Sequence, residues 1–242
     1  MVQQVKPENT TSFYPDSDGQ PMADNTLQFE WIVTIKENLE LLLATDEQIF
    51  IAGDLLWYPV EGDSKLCRAP DVLVACGRPK GYRGSYKQWE EANIAPQVVF
   101  EILSPSNTLR DLAEKFAFYD RFGVEEYYLY DPNRVDFNGW IRQDERFVII
   151  EPLSGWVSPR LGIRFELTAE TLKIFTPSGD LFLTYVELGQ RMQAAEARAI
   201  AAEQAQQAAV PQLLSMGLSV EQVAAALGLA VEDVRAIAPS GS

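Results

Sequence analysis

The sequence predicts an α/β (α+β) fold: a mixed central sheet flanked by helices, with extra β-hairpins and a C-terminal helical appendage. Three observations predict it. Helical hydrophobic spacing occurs over residues 26–44 and again over 107–122, with short β-branched and aromatic runs between and after the two. A further group of short apolar runs lies between residues 136 and 185, separated by turn residues. After Gly189 the composition shifts to Ala, Gln and Glu with no aromatic residue. The chain therefore divides into a flexible arm over 1–25, a folded domain over 26–187, an Ala/Gln-rich helix over 188–209 and a small helix-turn-helix-like unit over 210–242.

In chain order, Pro7, Pro15, Gly19 and Pro21 among polar residues make the arm loose. Asn25 and Gln28 stand in capping-box relation and open the first helix, whose apolar face is Leu27, Trp31, Ile32, Ile35, Leu39, Leu42 and Leu43. Residues 48–52, 55–59, 71–76 and 97–103 read as strands. The second helix, over 107–122, carries Leu109, Leu112, Phe116 and Tyr119 and stops at Gly123; a strand over 126–130 follows. Residues 136–151 read as a hairpin turning at Asn138-Gly139, and 163–165, 172–175 and 181–185 as further strands around Pro177-Ser178-Gly179.

The helix over 190–209 has a weak apolar seam and suits an exposed or self-associating role. Pro211 opens the terminal unit, with stops at Gly217 and Gly228 and a capping box at Ser219 and Gln222. Its last helix sets Glu232 and Asp233 against Arg235, which favours a protein contact, such as homo-oligomer formation, over entry into a DNA groove.

Composition narrows the chemistry. The 242 residues hold 20 Lys and Arg against 35 Asp and Glu, a net charge of −15, so any nucleic-acid contact must come from a local patch. There is no histidine, which excludes Ser/His/Asp and Cys/His triads, zincin motifs and facial-triad iron sites. General-base work falls to carboxylates, lysine, tyrosine or a metal-activated water. The two cysteines, Cys67 and Cys76, read as core thiols in a reducing cytoplasm. No stretch reaches the roughly 18 apolar residues of a membrane span and no export signal is legible, so a cytoplasmic chain without membrane contact is expected.

The chemistry centres on Glu101. In a strand, Val99, Glu101 and Leu103 share one face and Val98, Phe100 and Ile102 the other, so both faces are apolar and the strand is central. A buried carboxylate there must be paired or bound to a cation. An arginine such as Arg110 or Arg68 is one such partner. Asp71, at the mouth of another apolar strand after Pro70, points to a second answer. Neighbouring strands lie about 4.8 Å apart, so Asp71 and Glu101 can share one divalent ion, magnesium or manganese by donor hardness; Asp71 as a simple strand start is the alternative. Lys115, on the following helix beside Leu112, Phe116 and Tyr119, can run its stem along the core and bring its ammonium to the sheet's end, or remain an ordinary solvated residue. Asp54, Glu37 and Glu40 are weaker carboxylate candidates.

Pro70-Asp71-Val72, the run 99–106 with Glu101, Asp111 with Lys115, Tyr119, the run 123–128 and Asp131-Pro132 together resemble the Uma-type (Uma-two) family, described as putative restriction endonucleases and abundant in cyanobacteria. That family lies within the PD-(D/E)XK nuclease superfamily, and the resemblance covers roughly residues 27–185. It implies a restriction-endonuclease-like core in which Asp71 and Glu101 bind the divalent metal. The superfamily's lysine stands two residues after the acid, where this chain has Leu103; a lysine on the next helix, matched here by Lys115, is thought to substitute. The family's first helix often carries a histidine near its start, where Gln28 stands.

Residues 77–88 hold Arg78, Lys80, Arg83 and Lys87 with Tyr82 and Tyr86 and no acid. Such a loop suits phosphate attraction and base stacking beside the proposed metal, or else balances the acidic body. The expected function is a magnesium- or manganese-dependent endonuclease acting on DNA, with Asp71, Glu101 and the Ile102 carbonyl holding the ion. The alternatives are a nuclease-fold binding or assembly protein that associates through its C-terminal helices, and a phosphatase or small-nucleotide hydrolase.

Overall fold

The computed structural model describes residues 14–17, 19 and 23–237. Two compact units divide between Thr184 and Tyr185. Of the expected arm, residues 1–13, 18 and 20–22 lie outside the described set. Tyr14 is held: its ring packs against Tyr58 and Trp89, with centroids 5.1 and 4.9 Å apart, and the Tyr58 hydroxyl donates to the Pro15 carbonyl.

The first unit is built on a six-stranded sheet. Helix α1 (Thr26–Leu42) starts at Asn25, whose side chain accepts the Gln28 amide. The strands follow as β1 (Ile49–Gly53), β2 (Trp57–Tyr58), β3 (Val72–Cys76), β4 (Tyr86–Lys87) and β5 (Val98–Ile102). Helix α2 (Leu109–Arg121) opens on a Thr108–Asp111 capping box, and Gly123 ends it in the left-handed region at φ 86°. Then come β6 (Glu126–Asp131), β7 (Asp136–Gln143), β8 (Arg146–Ile149), β9 (Arg164–Leu167) and β10 (Leu172–Phe175).

Sheet order is β1-β3-β5-β6-β7-β8, and β5–β6 is its one parallel pair among the described residues. A parallel pair needs a crossover, which α2 supplies. Alternation then sorts the side chains. Val72, Val74, Val98, Phe100 and Ile102 pack with Ile32, Ile35 and Leu39 of α1, while Leu73, Ala75 and Val99 pack with Phe118 and Tyr119 of α2. Every residue of β5 is buried, as its sequence required.

Several expectations are corrected. Asn138-Gly139 lies inside β7, and the hairpin turns at Asp144-Glu145 with Asp144 at φ 57°. Gly139 serves close packing: a Cβ there would stand 2.9 Å from Leu153 Cδ1 and 3.2 Å from Ile150 and Tyr128 side-chain atoms. Residues 181–185 form no strand; Leu181 makes a single bridge to Phe175, and Tyr185 begins a helix. Cys67 and Cys76 are half-buried, Cys76 packing against the hydrophobic core, and neither is in a disulfide.

The second unit comprises α3 (Tyr185–Ser215), α4 (Val220–Leu227) and α5 (Val231–Ile237). One continuous helix thus spans both expected boundaries, at 187/188 and 209/210, and runs through Pro211. An interior proline costs about 3 kcal/mol. Here it sits beside Val210, which is fully buried against Val223, Ala224 and Val234, and that packing holds the helix together. Ser219–Gln222 forms the expected capping box and Gly228 the left-handed cap. No helix among the described residues is long and apolar enough to cross a membrane.

Candidate functional site

Strands β3 and β5 pair with Val72 opposite Phe100, and one further step sets Asp71 opposite Glu101 on the face covered by α2. Both carboxylates are buried, at 7% and 2% exposure. Asp71 Oδ2 accepts the Ile102 backbone N–H at 2.6 Å, so the strand that carries Glu101 also fixes Asp71. Glu101 accepts the Tyr119 hydroxyl on Oε1 at 2.5 Å and the Lys115 ammonium on Oε2 at 2.6 Å. Lys115 and Tyr119 are one helical turn apart on α2, so both reach the same carboxylate. The two arginines weighed as partners of Glu101 go elsewhere: Arg68 and Arg110 both bond Glu114, at 3.2 and 2.9 Å.

The electrostatics follow from burial and from excess negative charge. Burial, and then the neighbouring Glu101, hold the Asp71 carboxyl well above the usual carboxylate range, against the opposing effects of Lys115 and the Ile102 amide. Burial pulls Lys115 downward, but the charges of Glu101 and Asp71 and the Glu101 hydrogen bond outweigh it and hold the ammonium above its ordinary value. Burial and Glu101 push the Tyr119 phenol well up, so it stays a protonated donor.

A cavity of about 640 Å³ opens on Asp71 and Lys115, with Asp24, Gln28, Asp54 and Arg68 also among its lining residues; Glu101, 2% exposed, does not line it. Asp24 was not legible as a site residue, and Gln28 was marked as one only by the family resemblance. Gln28, buried, donates from Nε2 to the Ile102 carbonyl at 2.9 Å and accepts the Asp24 amide on Oε1 at 2.8 Å. Its capping position announced the second kind of bond but not the first. Asp24 accepts the hydroxyls of Ser104 and Ser106, and those bonds, Ser104 first, hold its carboxyl below the usual range. Only the closeness of Ser104 and Ser106 in the sequence hinted at this.

Among the described residues no group of three or more His, Cys, Asp or Glu gathers to hold a metal. What the site offers is the carboxylate pair and the Ile102 carbonyl. Each of these oxygens keeps a lone pair after its hydrogen bond, and Asp71 Oδ1 has no donor among the described residues. Two carboxylates face one ammonium, so a negative excess remains, and hard oxygens with that charge are the donor set a divalent cation would take.

The basic loop does not join the site. It leaves β3 beyond Cys76, about 16 Å along the strand from Asp71. Arg78 and Arg83 both bind Glu91, at 2.8 and 2.6 Å, and Arg83 lies over the Phe50 ring at 3.9 Å. Lys80 donates to the Leu43 carbonyl at 2.9 Å, and Lys87 lies 3.5 Å from Glu90. The cations that line the cavity besides Lys115 are Lys65 and Arg68.

The profile of the Uma2 family, described as "putative restriction endonuclease", matches residues 18–177, about two thirds of the chain. Among solved structures, a putative nuclease belonging to DUF820 from Anabaena variabilis aligns with 57% of this chain and 75% of its own, at 16% identity and a TM-score of 0.43. No curated protein matches. The matched span contains Asp71, Glu101 and Lys115 and ends after β10. On that match the chain belongs to the Uma2 family, and its mixed sheet with a helix on each face is a restriction-endonuclease-like core.

Proposed function

We propose that this chain is an endonuclease that hydrolyses DNA phosphodiester bonds with one divalent cation, magnesium or manganese, held by Asp71, Glu101 and the Ile102 carbonyl. The observation that carries this reading is the opposition of two buried carboxylates on neighbouring strands, with Lys115 bonded to one of them. When bound, the cation supplies an acidified water and neutralises charge on the scissile phosphate. The remaining work falls to the chain's own groups. The Ile102 amide orients Asp71, and Tyr119 holds Glu101 by Oε1. Lys115 keeps its proton, and its ammonium would steady the attacking water or the negative charge developing on the phosphoryl oxygens. Gln28 fixes the Ile102 carbonyl from α1. Of the cavity's cations, Lys65 is the one offered to a phosphate backbone, since Arg68 is paired with Glu114 and Lys115 with Glu101. The wall's acids Asp24, Asp54, Asp71, Asp111 and Glu114 make the bound cation necessary for a phosphate to approach.

The test is cleavage of supercoiled plasmid in magnesium or manganese by wild type and by Glu101→Ala. The wild type should relax the plasmid and the variant should not; equal activity in both removes Glu101 from the mechanism. One observation favours a second reading, a binding or assembly protein without turnover: both Glu101 oxygens already accept a donor within the chain. Calorimetric titration with manganese separates the two, because an ion-binding pair takes up the metal and a purely structural one does not.

A further inference from the structure

Helix α3 carries a charge pattern that neither the sheet nor the proposed chemistry uses. Written in heptads from Tyr185, its a and d positions are Tyr185 and Leu188, Met192 and Ala195, then Ala199 and Ala202. Tyr185 and Met192 are 79% and 67% exposed, and every residue from 190 to 208 is exposed. The flanking positions are not mixed. Position g holds Arg191 and Arg198, and position e holds Glu196 and Glu203. Arg198, Glu196 and Glu203 make no ion pair among the described residues, although Arg198 donates to the Ala194 carbonyl of its own helix. The first e position, Gly189, and the third g position, Ala205, carry no charge. The other four flanking positions are charged with opposite signs beside an a/d row that is exposed except at half-buried Leu188, and this forms the seam of a two-stranded coiled coil.

The signs select both partner and direction. In a parallel pair, each g residue faces the e residue five positions on in the other helix. Arg191 would then meet Glu196 of a second copy, and Arg198 would meet Glu203, twice over by symmetry. In an antiparallel pair g faces g and e faces e, which would set arginine on arginine and glutamate on glutamate. The alanines at a and d let the two backbones approach closely. We infer that α3 is a self-association surface, and that its occupant is a second copy of this chain docked parallel and in register along residues 185–205. The inference does not depend on the carboxylate pair in the first unit.

The test uses the full chain in sedimentation equilibrium. Wild type should show a reversible dimer. E196R/E203R, with arginine at both e and g, and R191E/R198E, with glutamate at both, should each dimerise about tenfold or more weakly. An equimolar mixture of the two variants should recover association, because every facing pair is again of opposite sign. In a C67S/C76S background, Met192→Cys should form a disulfide between copies under mild oxidation, since a faces a only in the parallel, in-register arrangement. A wild type that stays monomeric at all concentrations overturns the inference, as does a dimer indifferent to both charge reversals, a mixture that fails to recover, or the absence of the cross-link.

Discussion

The Lys115 ammonium lies 2.6 Å from Glu101 Oε2 although the two residues belong to different elements, a helix and the strand before it. Two residues after the glutamate the chain has Leu103, and the cation reaches the carboxylate from α2. Replacing Lys115 by Met should therefore do two things. Plasmid cleavage should fall roughly 10²–10³-fold, the usual cost of losing one charged stabiliser. Chemical denaturation should show a loss of about 3–5 kcal/mol, because Glu101 is left buried without its counter-charge. Wild-type cleavage by the variant would remove Lys115 from the chemistry.

Metal affinity should depend on pH. Asp71 is held well above the usual carboxylate range by burial and by Glu101, so a proton competes with the ion for its oxygens. Manganese binding, measured by calorimetry, should tighten as pH rises through the range above the ordinary carboxylate values and should release protons. Asp71→Asn should abolish both effects. Flat affinity across that range would show that Asp71 is not a ligand.

Gln28 ties α1 to the site. Gln28→Leu removes the donor to the Ile102 carbonyl and the acceptor for the Asp24 amide. A loss of about 1–3 kcal/mol in urea unfolding is expected, with an unchanged denaturant slope.

Glu91 should govern the acid stability of the basic loop. The Arg83 hydrogen bond, and then that of Arg78, outweigh burial and hold its carboxyl below the ordinary glutamate value. For a carboxyl lowered in the folded state, the stabilisation is fully present above the unfolded value, near 4.5, and is lost as pH falls through the folded one. Glu91→Gln should therefore cost about 1–3 kcal/mol at pH 7 and progressively less in acid, read as the difference between thermal midpoints of the two proteins at each pH.

Gly139→Ala tests the close approach inside β7. With Leu153 Cδ1 at 2.9 Å from the new Cβ, overpacking should cost about 1–3 kcal/mol in denaturant unfolding. A neutral effect would mean that Leu153 moves aside freely.

The helical and strand periods were readable locally, and with them the burial of β5 and the face shared by Val99 and Glu101. Asp71 was readable as a partner because a carboxylate stands directly before an apolar strand. The Asn138-Gly139 turn misled because glycine serves a tight turn and a tight contact equally well, and the contact is made by Leu153, Ile150 and Tyr128, distant in the chain. The basic loop is near Asp71 in the chain but apart from it in space. Chain proximity to Asp71 is undone by the length of β3, and Glu91 engages Arg78 and Arg83.

From residue order alone came the buried faces of α1, α2 and β5, where α1 and α2 start and stop, and that Glu101 is too deeply set to be solvated. Strand register and neighbour choice had to be seen in three dimensions. They put Asp71 opposite Glu101, turned Arg68 and Arg110 toward Glu114, and brought Gln28 to the Ile102 carbonyl. The division has a physical cause: side-chain period is a property of the local backbone, whereas the partner of a charge is whichever opposite charge the packed sheet brings within a few ångströms.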